Sequence, residues 1–334
     1  MAVLACKQAS QENNSTTATG LKPVVVTHQT PDDTDDPAIW VNQKDPSQSL
    51  IIGTDKGDEN GGLFVFNLAG ELVDSLSFYP LKRPNNVDIE YGFQWDSTIL
   101  DIAVCTERNT NSIRVFSLPD MQPIDNGGIA VFEDQALRAP MGIGLYKDEQ
   151  GYIHAIVSRK EGPADGYLQM LRLVYDTAGF VVADQSVYFG KFSEQKEIEA
   201  LFVDDARAEL YYSDETFGVR KYDLKTLREL GVFGQSDFKD DNEGISLAPD
   251  SSGFLLISNQ QAHTFNVYNR LDNRLIAEFG VEAKESDGSE TYLGYLNEKF
   301  PEGIFVCMSE GAVFHYYDYR DIKKVIRQAG RKNM

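Results

Sequence analysis

The chain has 334 residues, and its 52 Asp and Glu against 31 Lys and Arg give a formal net charge of −21 at pH 7. This charge argues against binding nucleic acid or docking on an anionic membrane, because both need a basic protein surface. It suits a protein that collects cations, although an acidic, solvated surface would give the same composition. The length allows about two ordinary domains or one larger all-β domain.

The first predicted element is a polar leader, residues 1–20, with too little apolar content to join a core. Its run Val3-Leu4-Ala5-Cys6 resembles the end of a bacterial lipoprotein signal, in which a small residue precedes a cysteine. The resemblance implies a lipid anchor at Cys6, a cell-envelope or extracellular location, and a signal peptide that has been trimmed, since only five residues precede Cys6. An arbitrary disordered leader is the alternative.

The two remaining cysteines lie in strand-like apolar runs, Cys105 in DIAVCTE and Cys307 in GIFVCMS. We expect both to be buried, unpaired thiols, because three cysteines without a CxxC or Cys/His cluster provide neither a disulfide framework nor a zinc site. An apolar run of about eighteen residues, long enough for a transmembrane helix, is also missing from the sequence. The sequence therefore predicts no membrane-spanning segment.

From residue 21 to residue 334 the chain is predicted to be one domain of short strands separated by Gly, Asn, Asp and Pro turns. Clear examples of such strands are Leu50–Thr54, Leu63–Leu68, Ile113–Leu118, Tyr152–Val157 and Phe254–Ser258. Helical periodicity is confined to Asp321–Ala329 at the C-terminus. The strands therefore indicate an all-β fold.

Similar strand starts recur about every 50 residues, which is typical of propellers. They are Asp36-Pro-Ala-Ile, Asp88-Ile-Glu-Tyr, Gly142-Ile-Gly-Leu, Glu199-Ala-Leu-Phe, Glu243-Gly-Ile-Ser and Glu302-Gly-Ile-Phe. Six starts predict a six-bladed β-propeller in which each blade is a four-stranded antiparallel sheet. We expect Val24–Thr27 to add a strand to the last blade and close the ring. A β-sandwich of similar strand content is the alternative.

Five of these six starts are acidic, and the first strand of each propeller blade lines the central channel. Carboxylates directed into one small volume repel one another unless they are protonated or neutralised by a cation. Oxygen ligands without His or Cys favour a hard ion, and Ca²⁺ accepts irregular carboxylate sites better than Mg²⁺ does. Asp35 and Asp241 add further ligands at the same end of the channel.

A second polar ring follows one strand later in the first five repeats. It comprises Asp55-Lys56, Glu107-Arg108, Arg159-Lys160-Glu161, Asp214-Glu215 and Asn259-Gln260. Bases occur in repeats one to three only, whereas repeats four and five carry acids and amides. One mouth of the channel would then have a cationic half and a carboxylate half. Such a mouth suits a phosphorylated ligand, because Lys and Arg bind phosphate oxygens and cations can bridge the other side.

Several motifs in this arrangement resemble those of the β-propeller phytases, over nearly the whole chain after about residue 24. They are DDPAIW (Asp35–Trp40), NNVDIEYGF (Asn85–Phe93), RKEG (Arg159–Gly162), EIEALFVDD (Glu197–Asp205), ELYYSDE (Glu209–Glu215), DNEGI (Asp241–Ile245) and FPEGIFV (Phe300–Val306). The resemblance implies a calcium-dependent, 3-phytase-like phosphoric monoester hydrolase that acts on myo-inositol hexakisphosphate (phytate). It further implies adjacent cleavage and affinity sites for phosphate.

The resemblance also implies roles for individual residues. Those implied as ligands of several calcium ions are Asp35, Asp36, Glu199, Glu215, Asp241, Glu243, Gln260 and Asp287. Those implied in catalysis are Lys56, Arg108, Arg159, Lys160, Glu161 and Glu215, and the four bases among them would bind substrate phosphate. Where the family usually has a tyrosine that contacts phosphate, this chain has Met141, so that contact is lost or another residue supplies it.

Two other functions remain open on the sequence. A lactonase-like hydrolase with one central metal would explain the carboxylates but not Lys56, Arg108 and Lys160. A non-catalytic propeller that binds phosphate would explain the bases and is favoured by Met141. We expect a monomer, since the sequence shows no interface signal.

Overall fold

The computed structural model describes residues 20–249 and 253–332. Its strands form six four-stranded antiparallel sheets, which follow chain order in five cases and the order β22-β23-β24-β1 in the sixth. This architecture confirms the predicted six-bladed β-propeller. Cys6 and the predicted leader up to residue 19 lie outside the described residues.

The strand bounds, blade by blade, are as follows. Blade 1 contains β2 (Thr34–Trp40), β3 (Leu50–Asp55), β4 (Gly61–Asn67) and β5 (Phe78–Leu81), and blade 2 contains β6 (Pro84–Trp95), β7 (Thr98–Glu107), β8 (Ser112–Leu118) and β9 (Ile129–Ala130). Blade 3 contains β10 (Pro140–Lys147), β11 (Ile153–Arg159), β12 (Asp165–Tyr175) and β13 (Val181–Lys191), and blade 4 contains β14 (Leu201–Asp204), β15 (Glu209–Asp214), β16 (Gly218–Asp223) and β17 (Arg228–Phe233). Blade 5 contains β18 (Asn242–Ala248), β19 (Phe254–Asn259), β20 (Thr264–Asn269) and β21 (Leu275–Gly280), and blade 6 contains β22 (Ser289–Tyr292), β23 (Ile304–Ser309), β24 (Val313–Asp318) and β1 (Val25–Val26).

The N-terminal strand β1 closes the ring, as the sequence predicted. It is antiparallel to β24, with Val25 opposite Tyr316 and Val26 opposite His315. The first described segment of the chain thus completes the last blade. Such closure removes the exposed sheet edge that an open ring would leave.

One helix, α1 (Tyr319–Lys332), follows the last blade and confirms the helix predicted at Asp321–Ala329. Ile322 and Ile326 are buried against residues of blades 5 and 6, four residues apart on one face of the helix. Short 3-10 turns lie at Pro46–Gln48, Asp74–Leu76, Arg108–Thr110 and Gln260–Ala262. None of the described helices is long and apolar enough to cross a membrane.

The hydrophobic core is divided into clusters that lie between neighbouring blades. One cluster, for example, joins Ile102 and Val104 of blade 2 to Ile143 and Leu145 of blade 3, and all four side chains are at most 2% exposed. Cys105 belongs to another cluster, and it and Cys307 are buried and free, as predicted. Burial between the blades leaves the channel walls to polar residues.

Side-chain hydroxyls near the end of the second strands connect blades 2, 3, 4 and 5 to the blade that follows each of them. Thr106 donates to the carbonyl of Met141 at 2.6 Å, and Ser213 donates to the carbonyl of Glu243 at 2.8 Å. Ser258 likewise bonds to blade 6, at the carbonyl of Ser286. Each such bond is worth about 1 kcal/mol, and together they fix the backbone from which the channel residues project.

The predicted start of the sixth repeat at Glu302 is wrong. The channel strand of blade 6 is β22, whereas Glu302 precedes β23, the second strand. Its carboxylate is half exposed and lies 2.8 Å from Lys323 of α1. β22 reads Ser-Glu-Thr-Tyr and lacks the apolar run by which the other strands were recognised, whereas β23 has such a run. The acid that blade 6 contributes from its channel strand is Glu290.

Candidate active site

One residue after the second strand in each of blades 1 to 5 occupies an equivalent position at one mouth of the channel. The backbone N–H of each donates to a carbonyl at the start of its own blade, at 2.8–3.3 Å. The pairs are Lys56 with Asp33, Arg108 with Arg83, Lys160 with Ala139, Glu215 with Glu197 and Gln260 with Asp241. The structure therefore brings the second ring together with its bases in blades 1 to 3.

Two residues after each of those carbonyls lies the inner ring of the mouth. Its members are Asp35, Asn85, Met141, Glu199 and Glu243. In blade 6 the N–H of Glu310 donates to the carbonyl of Lys284, and Asp287 lies three residues after that carbonyl and joins the ring through its contact with Lys56. The predicted alignment of strand starts is thereby corrected, since Asp36 lies one residue and Asp88 three residues further along the channel strand. A β-bulge lies at this point of the channel strand in four blades, for example between Thr34 and Pro37 and between Pro84 and Val87, so the inner ring projects from an irregular part of each of these strands.

Lys56 holds two inner-ring carboxylates together. Its ammonium lies 2.8 Å from both Asp35 Oδ1 and Asp287 Oδ2, and 3.6 Å from Asp33. Burial alone would raise the pKa of Asp35, but attraction by Lys56 outweighs it and the pKa is lowered. Burial would lower the pKa of Lys56, and the carboxylates instead raise it. Lys56 is therefore a permanent cation of the mouth.

Asn85 bridges opposite sides of the inner ring. Its Nδ2 donates to Asp35 Oδ2 and to Glu199 Oε1, both at 3.0 Å. The side chain is buried, and its Oδ1 has no hydrogen-bond partner among the described residues. The amide thus links two acids without adding charge, and its oxygen remains available as a ligand.

Two overlapping groups of carboxylates lie in blades 4 and 5. In each group the ligand atoms are within 4.8 Å of one another. The groups are Glu197, Glu199 and Glu215, and Glu215, Asp241 and Glu243. The ammonium of Lys196 reaches the second group, at 2.6 Å from Glu215 Oε2 and 2.9 Å from Asp241 Oδ2. Gln260 lies close by, with its amide donating to Asp287.

These residues fit a hard divalent cation. Glu215 Oε1 and Glu243 Oε2 are buried without a hydrogen-bond partner among the described residues. Burial, followed by repulsion from neighbouring acids, raises the pKa of Glu243 and of Glu199 well above the usual range. Such carboxylates need either protons or a cation. Glutamate and aspartate oxygens, with amides and no His or Cys, form a donor set that suits Ca²⁺.

The cationic half of the mouth contains Arg108 and Lys160. The guanidinium of Arg108 contacts Met141 Sδ, and its buried Nε has no hydrogen-bond partner among the described residues. Lys160 is 44% exposed and forms an ion pair with Glu197. Glu161, the next residue, is exposed. Met141 itself is buried, and its sulfur is the atom that Arg108 contacts.

Two residues implied by the resemblance lie away from the mouth surface. Arg159 is fully buried, with its guanidinium 4.5 Å from the ring centroid of Phe132, and it donates to the carbonyls of Leu137 and Gly166. Asp36 lies deeper in the channel and accepts a hydrogen bond from the backbone N–H of Val87 at 3.2 Å. Neither side chain contacts Lys56, Arg108 or Lys160. Both form hydrogen bonds to backbone groups, which suggests that they support the backbone.

Sequence reasoning did not single out Asn85, Lys196 or Glu197. Asn85 was visible only as part of the NNVDIEYGF motif, with no charge to mark it. Glu197 and Glu199 are two apart, a spacing that places both on one face of extended chain, and this signal was present in the sequence. Nothing in the sequence indicates that the side chain of Lys196 contacts residues of blade 5.

The structure is thus a six-bladed propeller whose channel mouth has one half that carries bases and one half that carries clustered carboxylates. A family model described as Phytase matches residues 1–315 of the chain. The 3-phytase of Bacillus subtilis (strain 168) is 30% identical over 304 residues, which are 83% of this chain and 74% of the relative. The chain belongs to the phytase family.

Proposed function

We propose that this protein is a calcium-dependent phytase, a phosphoric monoester hydrolase that releases phosphate from myo-inositol hexakisphosphate. The observation that carries the proposal is that Arg108 has no carboxylate partner among the described residues. Its guanidinium lies in the mouth next to a thioether and without a carboxylate partner among the described residues, although acids surround it. A half-buried guanidinium without a carboxylate partner suits a phosphate group, whose oxygens accept hydrogen bonds from its fork of donors.

The bases of the mouth would bind and orient the substrate. Lys56 donates two of its three N–H bonds to carboxylates and has one left for a phosphate oxygen. Arg108 and Lys160 would contact further oxygens and stabilise the charge that builds on them during attack at phosphorus. The distribution of these bases over three blades allows one phosphate to be cleaved while a neighbouring phosphate is held.

The acids of the mouth would hold calcium and determine where it lies. The residues that would hold it are Asp35, Glu197, Glu199, Glu215, Asp241, Glu243, Gln260 and Asp287. Calcium bound there would supply Lewis acidity and a positive field for a polyanionic substrate. Asn85 would keep Asp35 and Glu199 in place, and Glu161 at the exposed rim would exchange protons with water.

The test is release of inorganic phosphate from phytate near neutral pH, with excess Ca²⁺ and again with a chelator. We expect release that depends on calcium and that falls sharply in Lys160→Met. A lactonase-like hydrolase would release no phosphate, and a non-catalytic propeller would bind phytate in a calorimeter without releasing any. Either result would overturn the proposal.

Three further predictions concern the environment of the protein. A lipid anchor at Cys6 and a cell-envelope or extracellular location follow from the resemblance of the leader to a lipoprotein signal. We expect a monomer in solution, which light scattering would test. Mass spectrometry of protein from its native cells would test the anchor.

A further inference from the structure

Lys196 is the unexplained charge in the mouth. It precedes the Glu197–Glu199 pair of blade 4, but its ammonium extends to acids that include two residues of blade 5. The distances are 2.6 Å to Glu215, 2.9 Å to Asp241 and 4.0 Å to Glu243 Oε1. These three acids are also one of the two groups whose oxygens converge closely enough to hold a metal ion. The ammonium therefore lies where a cation is attracted.

Burial differs sharply between the lysine and its partners. The side chains of Glu215, Glu243 and Asp241 are 0%, 4% and 13% exposed, whereas that of Lys196 is 38% exposed. The acids are fixed in the wall, and the lysine enters from the rim on a flexible four-carbon stem. An ammonium held in this way is able to leave without unfolding the blades.

The charges in this group do not balance with Lys196 alone. One ammonium faces three carboxylates, and Glu215 Oε1 and Glu243 Oε2 remain buried without a hydrogen-bond partner among the described residues. A divalent cation would satisfy these two oxygens and would repel the ammonium over a few ångströms. The two cations therefore compete for one set of ligands.

We propose that Lys196 is a built-in competitor for divalent cations at the Glu215–Asp241–Glu243 group. Its ammonium neutralises the group when calcium is scarce and swings to the rim when calcium binds. The device raises the calcium concentration at which this half of the mouth is loaded, and it keeps the empty group from being left with three unpaired acids. The proposal rests on the calcium dependence proposed above.

The Lys56 side of the mouth makes the contrast clear. Lys56 is only 20% exposed and is held equally by Asp35 and Asp287 at 2.8 Å. These two acids also accept hydrogen bonds, Asp35 from Asn85 and Asp287 from Gln260. We therefore assign displacement to Lys196 and not to Lys56.

The experiment is calcium titration by isothermal calorimetry of the full chain, freed of metal with a chelator and then desalted. Lys196→Met removes the charge and keeps most of the stem, and Lys196→Arg keeps the charge. Lys225→Met, which removes an exposed ion pair with Glu149 elsewhere, is the matched control. We expect unchanged stoichiometry, with Kd about tenfold lower in Lys196→Met, a difference equivalent to about 1.4 kcal/mol.

Thermal unfolding provides a second readout that does not depend on activity. In chelator, Lys196→Met should melt below the wild type, because three acids lose their counter-charge. In excess calcium the two proteins should melt at the same temperature, or Lys196→Met should melt above the wild type. A variant that melts lower in both conditions by the same amount would show a structural role and overturn the proposal.

Two other calorimetric outcomes would also overturn it. Equal affinity in the wild type and Lys196→Met would mean that there is no competition. An additional calcium site in the variant would mean that Lys196 is a permanent occupant and is not displaced. If the wild type itself binds no calcium, the proposed calcium dependence fails, which is distinguishable from the first two results.

Discussion

The two ends of the channel contain the same residue types in different electrostatic states. At the mouth described above, Lys56 and Lys196 form ion pairs with the acids. At the opposite end, a cavity of about 250 Å³ is lined by Asp88, Glu90, Asp205 and Glu290. No ion pair joins these four to a described lysine or arginine. Acids cluster at both ends, but among the described residues only those of the mouth form ion pairs with lysines.

The acids of the distal end accept hydrogen bonds from backbone amides, and their pKa values are raised. Asp88 accepts from the N–H groups of Ile89 and Leu145, both at 2.7 Å. Burial raises the pKa of Asp88 to about 7, and burial with repulsion from Asp88 raises the pKa of Glu290 to about 8. The ammonium of Lys147 donates to the carbonyl of Tyr91 and not to the acids. The mouth is the candidate site and the distal end is not, because only at the mouth do lysines lie beside the clustered acids.

The largest expected effect that tests this comparison is that of Lys56→Met. Removing the cation leaves Asp35 and Asp287 facing each other and deprives substrate phosphate of a donor. We expect the rate of phosphate release to fall about 100- to 1000-fold, as when one donor to a developing charge is removed. The measurement is kcat/KM on phytate with saturating calcium. A loss no greater than that of Lys225→Met would contradict the role given to Lys56.

Asn85→Leu should have the next largest effect. The change removes two hydrogen bonds to carboxylates and separates Asp35 from Glu199. We expect the free energy of unfolding to fall by at least about 1.5 to 3 kcal/mol, which is the range for one hydrogen bond to a charged group. Urea unfolding in chelator measures it. Adding calcium should restore part of the stability that Asn85→Leu loses. Asn86→Leu is the control, because Asn86 is a neighbouring buried amide that bonds to neither acid, and calcium should restore no stability to it.

Met141→Leu should have a smaller effect. It keeps the volume of the side chain but removes the sulfur that accepts a hydrogen bond from Arg108. A hydrogen bond to a neutral acceptor is worth about 1 kcal/mol. We therefore expect KM for phytate to rise roughly fivefold, while kcat is maintained. Steady-state kinetics separate the two constants. A loss confined to kcat would show that Met141 acts during the chemical step.

Glu90→Gln, at the distal end, should leave activity unchanged and alter only the pH dependence of stability. Burial, with repulsion from Asp205, raises the pKa of Glu90 above its usual range. The folded protein therefore holds a proton that the unfolded chain has lost, and stability declines as pH rises from the unfolded pKa through the folded one. Removing the group should flatten this decline by up to about 1.4 kcal/mol per pH unit. Urea unfolding at several pH values would show it, and an unchanged slope would contradict it.

Much of the fold follows from local sequence patterns. The six blades, the closing strand at Val25–Val26 and the helix that contains Ile322 were all recognisable, because short apolar strands and helical spacing are local signals. The sixth channel strand was missed because Ser289–Tyr292 is polar. Within the site, Lys56, Arg108 and Lys160 were found because they recur in phase.

The sequence by itself determined the repeat and the separation of bases from acids among the repeats, since both depend on spacing along one strand and on residue type. Only the tertiary structure decided which acids meet. Burial withdrew Arg159 from the mouth, and Lys196, which precedes blade 4, reached Asp241 of blade 5. Register and contacts between blades depend on pairings distant in the chain, and residue spacing does not encode them.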